Sequence, residues 1–323
     1  MSRFPFGIPN CWFHVSYGDE LAPGAVKAVH YFGRDLVLFR GEDGKAVCLD
    51  AYCPHLGAHL GVGGRVIGNT IRCPFHGWQL DAAGKCVAIP YAKKIPAKAE
   101  TRAWPVQEVN GRIFVWHHAE GKPPDYAIPE IPGWGDPNWT SSWQKYRWVI
   151  KSQPQEVMEN AIDWHHFQTV HLMDPPRERS HEFDGKMFFW NIGTRKTVQT
   201  MGVQDDLYIE AQNWGLGFNF LTYTGMFTTV VSAGLTPIDD STLEFATGII
   251  GKKDGRGEDE TIQLLQAYMD DQSKAIEQDF AIWEAKKFRN RPVLCDGDGP
   301  IAEYRRWVRQ FYSIPWWDEG API

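Results

Sequence analysis

The sequence predicts an α+β fold in two parts: an all-β N-terminal domain, then an antiparallel sheet with helices packed on it. Three observations carry this. Over residues 12–118, apolar bursts such as Leu36-Val37-Leu38-Phe39 and Arg112-Ile113-Phe114-Val115-Trp116 alternate with turn signals at Glu42-Asp43-Gly44 and Val109-Asn110-Gly111, the pattern of short strands. Residues 120–138 then hold five prolines and three glycines, which neither a helix nor a central strand tolerates. Beyond them come a helical stretch around 155–171, a strand-like run over about 187–250 and a long helix over about 260–288, a sheet with helices on it. The expected division is a first domain over 1–119, a linker over 120–138 and a second domain over 139–323.

At 323 residues the chain suits roughly two domains of about 150 residues each. Its 43 % hydrophobic and 23 % charged residues are those of a folded globular protein. With 33 Lys and Arg against 40 Asp and Glu, a net charge of −7 and no basic block, it lacks the electrostatic footprint of a nucleic-acid or anionic-membrane binder. No apolar run is long enough to span a membrane, and the start, MSRFPFGIPN, lacks the apolar stretch of a signal peptide. The expected location is the cytoplasm. Six cysteines in a chain of this length are too few for a disulfide scaffold and are expected to be reduced, free to pack or bind metal. The 15 Trp, 11 Tyr and 18 Phe suit either a large apolar cavity or a well-filled core.

The first chemical constellation is Cys53-Pro54-His55-Leu56-Gly57 followed by Cys73-Pro74-Phe75-His76-Gly77-Trp78, a C-x-H arm and a C-x-x-H arm separated by 17 residues. Each arm offers one thiolate and one imidazole. Two sulfide-bridged irons need four protein ligands, and a centre with two thiolates on one iron and two imidazoles on the other is a Rieske 2Fe-2S cluster. Cys53 and Cys73 would hold one iron, His55 and His76 the other. Gly57 and Gly77 let the backbone come close to such a cluster. Structural zinc is the competing reading, but zinc modules group their cysteines and histidines in pairs rather than one of each per arm. On these residues the chain resembles the Rieske family. Ala58 and Phe75 stand where the respiratory branch has two further cysteines, which points to the oxygenase branch.

The second constellation is D-x-x-H-x-x-x-x-H over residues 163–171. On a regular helix Asn160, Asp163 and His166 share one side. His171 sits about 140° further round, so the two imidazoles meet one metal only if the helix loosens, and Leu172-Met173-Asp174-Pro175-Pro176 supplies a break. Two imidazoles and a carboxylate with open positions make the facial triad of non-haem iron oxygenases. His165 lies outside the family's spacing and is read as a supporting or packing residue. The carboxylate is expected from the long C-terminal helix, where spacing alone leaves Asp271, Glu277, Asp279 and Glu284 open.

The run over 278–312 (QDFAIWEAKKFRNRPVLCDGDGPIAEYRRWVRQFY), with Asp50-Ala51-Tyr52-Cys53 and Ile89-Pro90-Tyr91-Ala92, resembles the oxygenase components of bacterial 3-ketosteroid 9α-hydroxylases and the related cholesterol 7-desaturases. The resemblance implies that Asp279 completes a mononuclear Fe(II) site with His166 and His171, supported by Asn160, and that O2 is the co-substrate. It implies a head-to-tail homotrimer in which Asp163 bridges His166 and the cluster ligand His76 across a subunit interface. A flavin and iron-sulfur reductase fed by NAD(P)H is the implied partner. The one near match to a dinucleotide motif, Gly297-Asp298-Gly299-Pro300-Ile301-Ala302, has repelling aspartates and too little chain after it for a βαβ unit. The implied substrate is a hydrophobic polycycle, a steroid first. Hydroxylation stands ahead of desaturation or sterol methyl oxidation, then aromatic hydroxylation or O-demethylation, then a non-catalytic Rieske electron carrier. Aromatic and Met residues from Phe183 to Phe227 are pocket candidates, with about a third expected to face the ligand.

Overall fold

The computed structural model describes residues 3–198 and 202–314, the side chains of Glu178, Lys196, Val198 and Asp271 lying outside the described set. They form two units: Trp12–Ile128, and the chain from Pro129 onward together with the segment up to Cys11. The first unit is all β: β1 (Cys11–Tyr17), β2 (Val26–Tyr31), β3 (Arg34–Arg40), β4 (Ala46–Asp50), β5 (Arg65–Ile67), β6 (Thr70–Arg72), β7 (Gln79–Leu80), β8 (Cys86–Ala88), β9 (Ala103–Trp104), β10 (Val106–Val109) and β11 (Arg112–His117). They make three sheets, ordered β1-β11-β10, β2-β3-β4-β9 and β5-β6-β7-β8. The apolar bursts became β3 and β11. Asn110 and Gly111 both take positive φ, 57° and 65°, the mirror-image turn that matches strand twist in a hairpin. The core of this unit, with Val37, Phe39, Leu49, Leu60 and Ile71, includes Cys53 and Cys73.

The second unit is a seven-stranded antiparallel sheet with helices. In chain order it has β12 (Gln144–Ile150), α1 (Pro154–Glu159), α2 (His166–Thr169), β13 (Glu178–Asp184), β14 (Met187–Val198), β15 (Val203–Trp214), β16 (Phe218–Thr224), β17 (Thr229–Pro237), β18 (Leu243–Gly251), α3 (Glu258–Ala285) and α4 (Ile301–Trp307). The sheet order is β12-β18-β17-β16-β15-β14-β13, each neighbour antiparallel. β12 and β13 are its edges, and their mixed polar sequences hid them from an apolar-run reading. Along β15 burial alternates at Leu207, Ile209 and Ala211, the period of a pleated strand. On α3 the buried Leu265, Met269, Gln272, Asp279 and Trp283 recur at helical spacing.

Two expectations need correction. The first residues were assigned to the N-terminal domain, but they pack with the second unit. The Asn10 N–H donates to the Phe311 carbonyl at 2.7 Å, and the buried Phe6 ring meets Phe288 at 5.1 Å. The helix expected around 155–171 is broken. After α1 comes a 3₁₀ turn over Asn160–Ile162, then Asp163 leaves helical space at φ −85°, ψ 86°. His166 Nδ1 hydrogen-bonds the Asp163 carbonyl, taking the acceptor that a continuing helix would offer to the Phe167 N–H. Asn160, Asp163 and His166 therefore do not share one helical face.

Candidate functional site

In the first unit the two arms fold into matching turns. The Cys53 N–H donates to the Ala58 carbonyl and the Gly57 N–H to the Cys53 carbonyl, at 2.9 and 3.0 Å. The Cys73 N–H donates to Trp78 and the Gly77 N–H to Cys73, at 2.7 and 3.1 Å. Gly57 and Gly77 close these turns at φ +76° and +74°, conformations that side chains disfavour. The two thiols are buried, and Cys73 is close enough to add to the rise of the Cys53 pKa. The His55 and His76 rings, less buried, lie 4.6 Å apart, and His55 stacks on Trp78 at 4.5 Å and 9°. Burial pushes the Cys53 thiol up to about 11, so it stays protonated unless a metal replaces the proton. His76 Nδ1 is buried with no hydrogen-bond partner among the described residues. Two facing thiols, two adjacent imidazoles and an orphaned ring nitrogen fit a Rieske cluster.

In the second unit the broken segment brings His166 and His171 together, their rings 5.1 Å apart, and α3 presents Asp279 to both. One ligand-capable atom from each residue lies within 4.8 Å of the other two. His171 Nε2 is 3.3 Å from Asp279 Oδ2. Each imidazole is held by its far nitrogen: His166 Nδ1 by the Asp163 carbonyl, His171 Nδ1 by Gln278 Oε1 at 3.1 Å. Both acceptors call for a proton on Nδ1 and leave the Nε2 lone pair for a metal. Burial lowers the His166 pKa, against the Asp163 hydrogen bond that favours protonation; the net effect favours the neutral, ligating form. Asn160 Nδ2 lies 3.0 Å from His166 Nε2. Among the alternative carboxylates, Glu277 instead accepts from Trp148 Nε1 and Glu284 from the Lys151 N–H. The donor set suits a non-haem iron.

Asp163 contributes through its backbone; its side chain is partly exposed and is not among the cavity residues below. His165 is placed outside the ligand group, its Nε2 donating to the Gly297 carbonyl at 2.6 Å. A Cβ at Gly299 would run into the Ile162 carbonyl. The glycine-rich segment thus braces the turn that carries the histidines.

His166, His171 and Asp279 line a cavity of about 170 Å³, against the roughly 10–15 Å³ that one water needs. One wall is the sheet face made by alternate residues of adjacent strands: Ile209, Leu221, Tyr223, Val231, Ala233 and Leu235, with Ile209 opposite Tyr223 and Leu221 opposite Val231. The opposite wall is the α3 stripe Gln272, Ala275, Ile276, Asp279 and Trp283. Of the pocket candidates from the middle segment only Trp190 and Tyr223 line it, fewer than a third. Phe188 and Phe218 are fully buried, and Phe183, Phe188, Tyr304 and Trp307 form an aromatic cluster of their own. The small aliphatics at every second position of β17 were the overlooked signal.

A cluster-binding β domain joined to a sheet-and-helix domain bearing two histidines and a carboxylate over an apolar cavity defines an oxygenase of the Rieske class. A Rieske [2Fe-2S] domain model matches residues 11–105, and the 3-ketosteroid 9α-hydroxylase C-terminal domain matches residues 115–312. The chain belongs to the 3-ketosteroid 9α-hydroxylase family of Rieske oxygenases. A probable 3-ketosteroid-9-alpha-monooxygenase oxygenase component of Rhodococcus rhodochrous is 36 % identical, covering 93 % of this chain and 79 % of the relative. A cholesterol 7-desaturase of Ciona intestinalis is 33 % identical over 95 % of this chain and 69 % of its own. The crystal structure of dicamba monooxygenase bound to dicamba has the same fold, with TM-score 0.76 at 20 % identity, covering 96 % of this chain and 98 % of that one. Among the described residues no helix is long and apolar enough to cross a membrane.

Proposed function

We propose that the chain inserts one oxygen atom of O2 into a C–H bond of a hydrophobic polycyclic substrate, a steroid by preference. The observation that carries this reading is the convergence of two Nδ1-anchored imidazoles and one buried carboxylate on an apolar cavity. Cys53, His55, Cys73 and His76 would hold the 2Fe-2S cluster, and His166, His171 and Asp279 a mononuclear Fe(II). When bound, the cluster supplies electrons one at a time and the ferrous ion supplies the O2-activating chemistry. The chain's own residues do the rest. The Asp163 carbonyl and Gln278 orient the imidazoles, Asn160 stands beside His166, and the sheet and α3 walls keep water from the substrate. The Asp163 carboxylate would stand between His166 and the cluster ligand His76 of a neighbouring copy, positioning the two imidazoles across a subunit interface of a head-to-tail homotrimer.

Electrons come from a separate flavin and iron-sulfur reductase using NAD(P)H, in keeping with the bracing role of the Gly297–Gly299 segment. Six free cysteines suit a reducing, cytoplasmic setting. Among the cavity-lining residues there is no Lys or Arg to pair with a carboxylate, which favours a steroid over an aromatic acid. The Ciona relative, nearly as similar as the Rhodococcus one, makes desaturation the second reading, since both reactions break a C–H bond. Metal analysis is expected to find three irons per chain. Aerobic turnover with a surrogate reductase, against steroids and aromatic acids, is expected to give an oxygenated steroid assigned by NMR. Two irons per chain, or turnover of aromatic acids alone, would overturn the proposal.

A further inference from the structure

Besides the three proposed ligands, the cavity is lined by the indoles of Trp190 and Trp283, whose Nε1 atoms are sealed off without a partner among the described residues, and by five amide or hydroxyl side chains: Asn160, Asn219, Tyr223, Thr247 and Gln272. Three are engaged. Asn160 lies against His166, Asn219 Nδ2 donates to Asn213 Oδ1 at 3.2 Å while its own Oδ1 is sealed off from the cavity, and Thr247 Oγ1 donates to the Ser232 carbonyl at 3.1 Å. Tyr223 and Gln272 are not. Gln272 is 8 % exposed, and its amide has no hydrogen-bond partner among the described residues yet is not sealed off. It lines the cavity. The Tyr223 hydroxyl is also without a partner there, and burial alone pushes it above its ordinary range.

These two groups lie towards one end of the cavity. Tyr223 packs against the cluster containing Val231, Leu265 and Met269, and Met269 is three residues before Gln272 on the same helix. Asp279 lies seven residues beyond Gln272, which at 1.5 Å per residue is roughly 10 Å along the helix axis. Neither group is paired among the described residues and neither is sealed off, so both keep hydrogen-bonding capacity for a ligand in the cavity.

We propose that the Gln272 amide and the Tyr223 hydroxyl anchor an uncharged oxygen function of the substrate, a ketone or a hydroxyl, roughly 10 Å from the metal end of the cavity. Both side chains can donate and accept, so either function is served, while no cation lines the cavity to hold an acid. The inference rests on the reading of this cavity as the substrate site and sharpens it: the anchor fixes which carbon of an elongated apolar substrate reaches the ligand group.

Equilibrium dialysis against the iron-loaded enzyme, without reductase, tests the anchor with two matched pairs: 5α-androstan-3-one against 5α-androstane, and 4-phenylcyclohexanone against phenylcyclohexane. The expected result is a preference for the ketone of roughly tenfold or more. Combining Gln272→Met with Tyr223→Phe is expected to remove it while hydrocarbon affinity stays unchanged, which also reports an intact cavity. Tyr223→Phe alone, the loss of one hydroxyl, is expected to remove part of it. A ketone preference confined to the smaller pair, with neither steroid bound, keeps the anchor and overturns the steroid reading. Equal affinity within each pair, a preference that survives both substitutions, or no binding of any probe overturns the anchor.

Discussion

Around Cys53 and Cys73 each ligand pair is held by its own turn, whereas His166, His171 and Asp279 come from two segments about a hundred residues apart. In the first unit the backbone closes each arm within six residues, with a glycine at positive φ and two hydrogen bonds per arm. In the second, His171 reaches both Asp279 and Gln278 on α3, so the group exists only once that helix lies along the sheet. The difference teaches that a site can be specified by local geometry or by the packing of distant elements. The two kinds should respond differently to damage.

The sharpest test is Asp279→Ala. Iron is expected to fall from three atoms per chain to two and turnover to vanish, while the visible spectrum of the cluster persists. Loss of that spectrum as well would break the independence of the two sites. Asp163→Ala comes next. The Asp163 carbonyl, not its carboxylate, holds His166, so all three irons should remain while turnover falls by roughly 10- to 100-fold or more; full activity would remove the bridging role. Gln278→Leu takes the acceptor from His171 Nδ1, and Fe(II) affinity measured by chelator competition is expected to drop by roughly 10- to 100-fold. An unchanged affinity would mean that the second imidazole needs no such hold.

The smallest effects lie in the self-closing turns. Alanine at Gly57 or Gly77 costs about 1–2 kcal/mol for the left-handed backbone. At Gly77 its Cβ would also meet Pro90 Cγ at 3.1 Å and Arg72 Nε at 3.2 Å, while at Gly57 it would meet open space. Gly77→Ala is therefore expected to lower the temperature of cluster bleaching more than Gly57→Ala. Equal shifts would show that the crowding at Gly77 relaxes freely.

The same contrast explains what could be read in advance. The Cys-His arms and their glycines are contiguous, so spacing alone placed them, and the turn at Asn110-Gly111 was legible for the same reason. His166 and His171 could be paired from their spacing, but the break at Asp163 could not, because it depends on a side chain competing for a backbone carbonyl. Asp279 could not be told from Glu277 or Glu284 by spacing, since what separates them is the face of α3 turned to the sheet. The cavity was hardest to foresee. Large aromatics drew attention, yet Phe188 and Phe218 fill the core and the wall is built from Val231, Ala233 and Leu235. Strand alternation marks two faces without saying which one meets a ligand.

The division of the second ligand group between His171 and Asp279 also sets an order of events during synthesis. A ribosome adding roughly 5–20 residues per second needs on the order of 5–20 s to pass from one to the other. By then the donors of the first site have long been complete. The nascent chain therefore offers a complete set of sulfur and nitrogen donors while its second donor group is still two histidines without a carboxylate, so translation itself staggers the completion of the two donor sets.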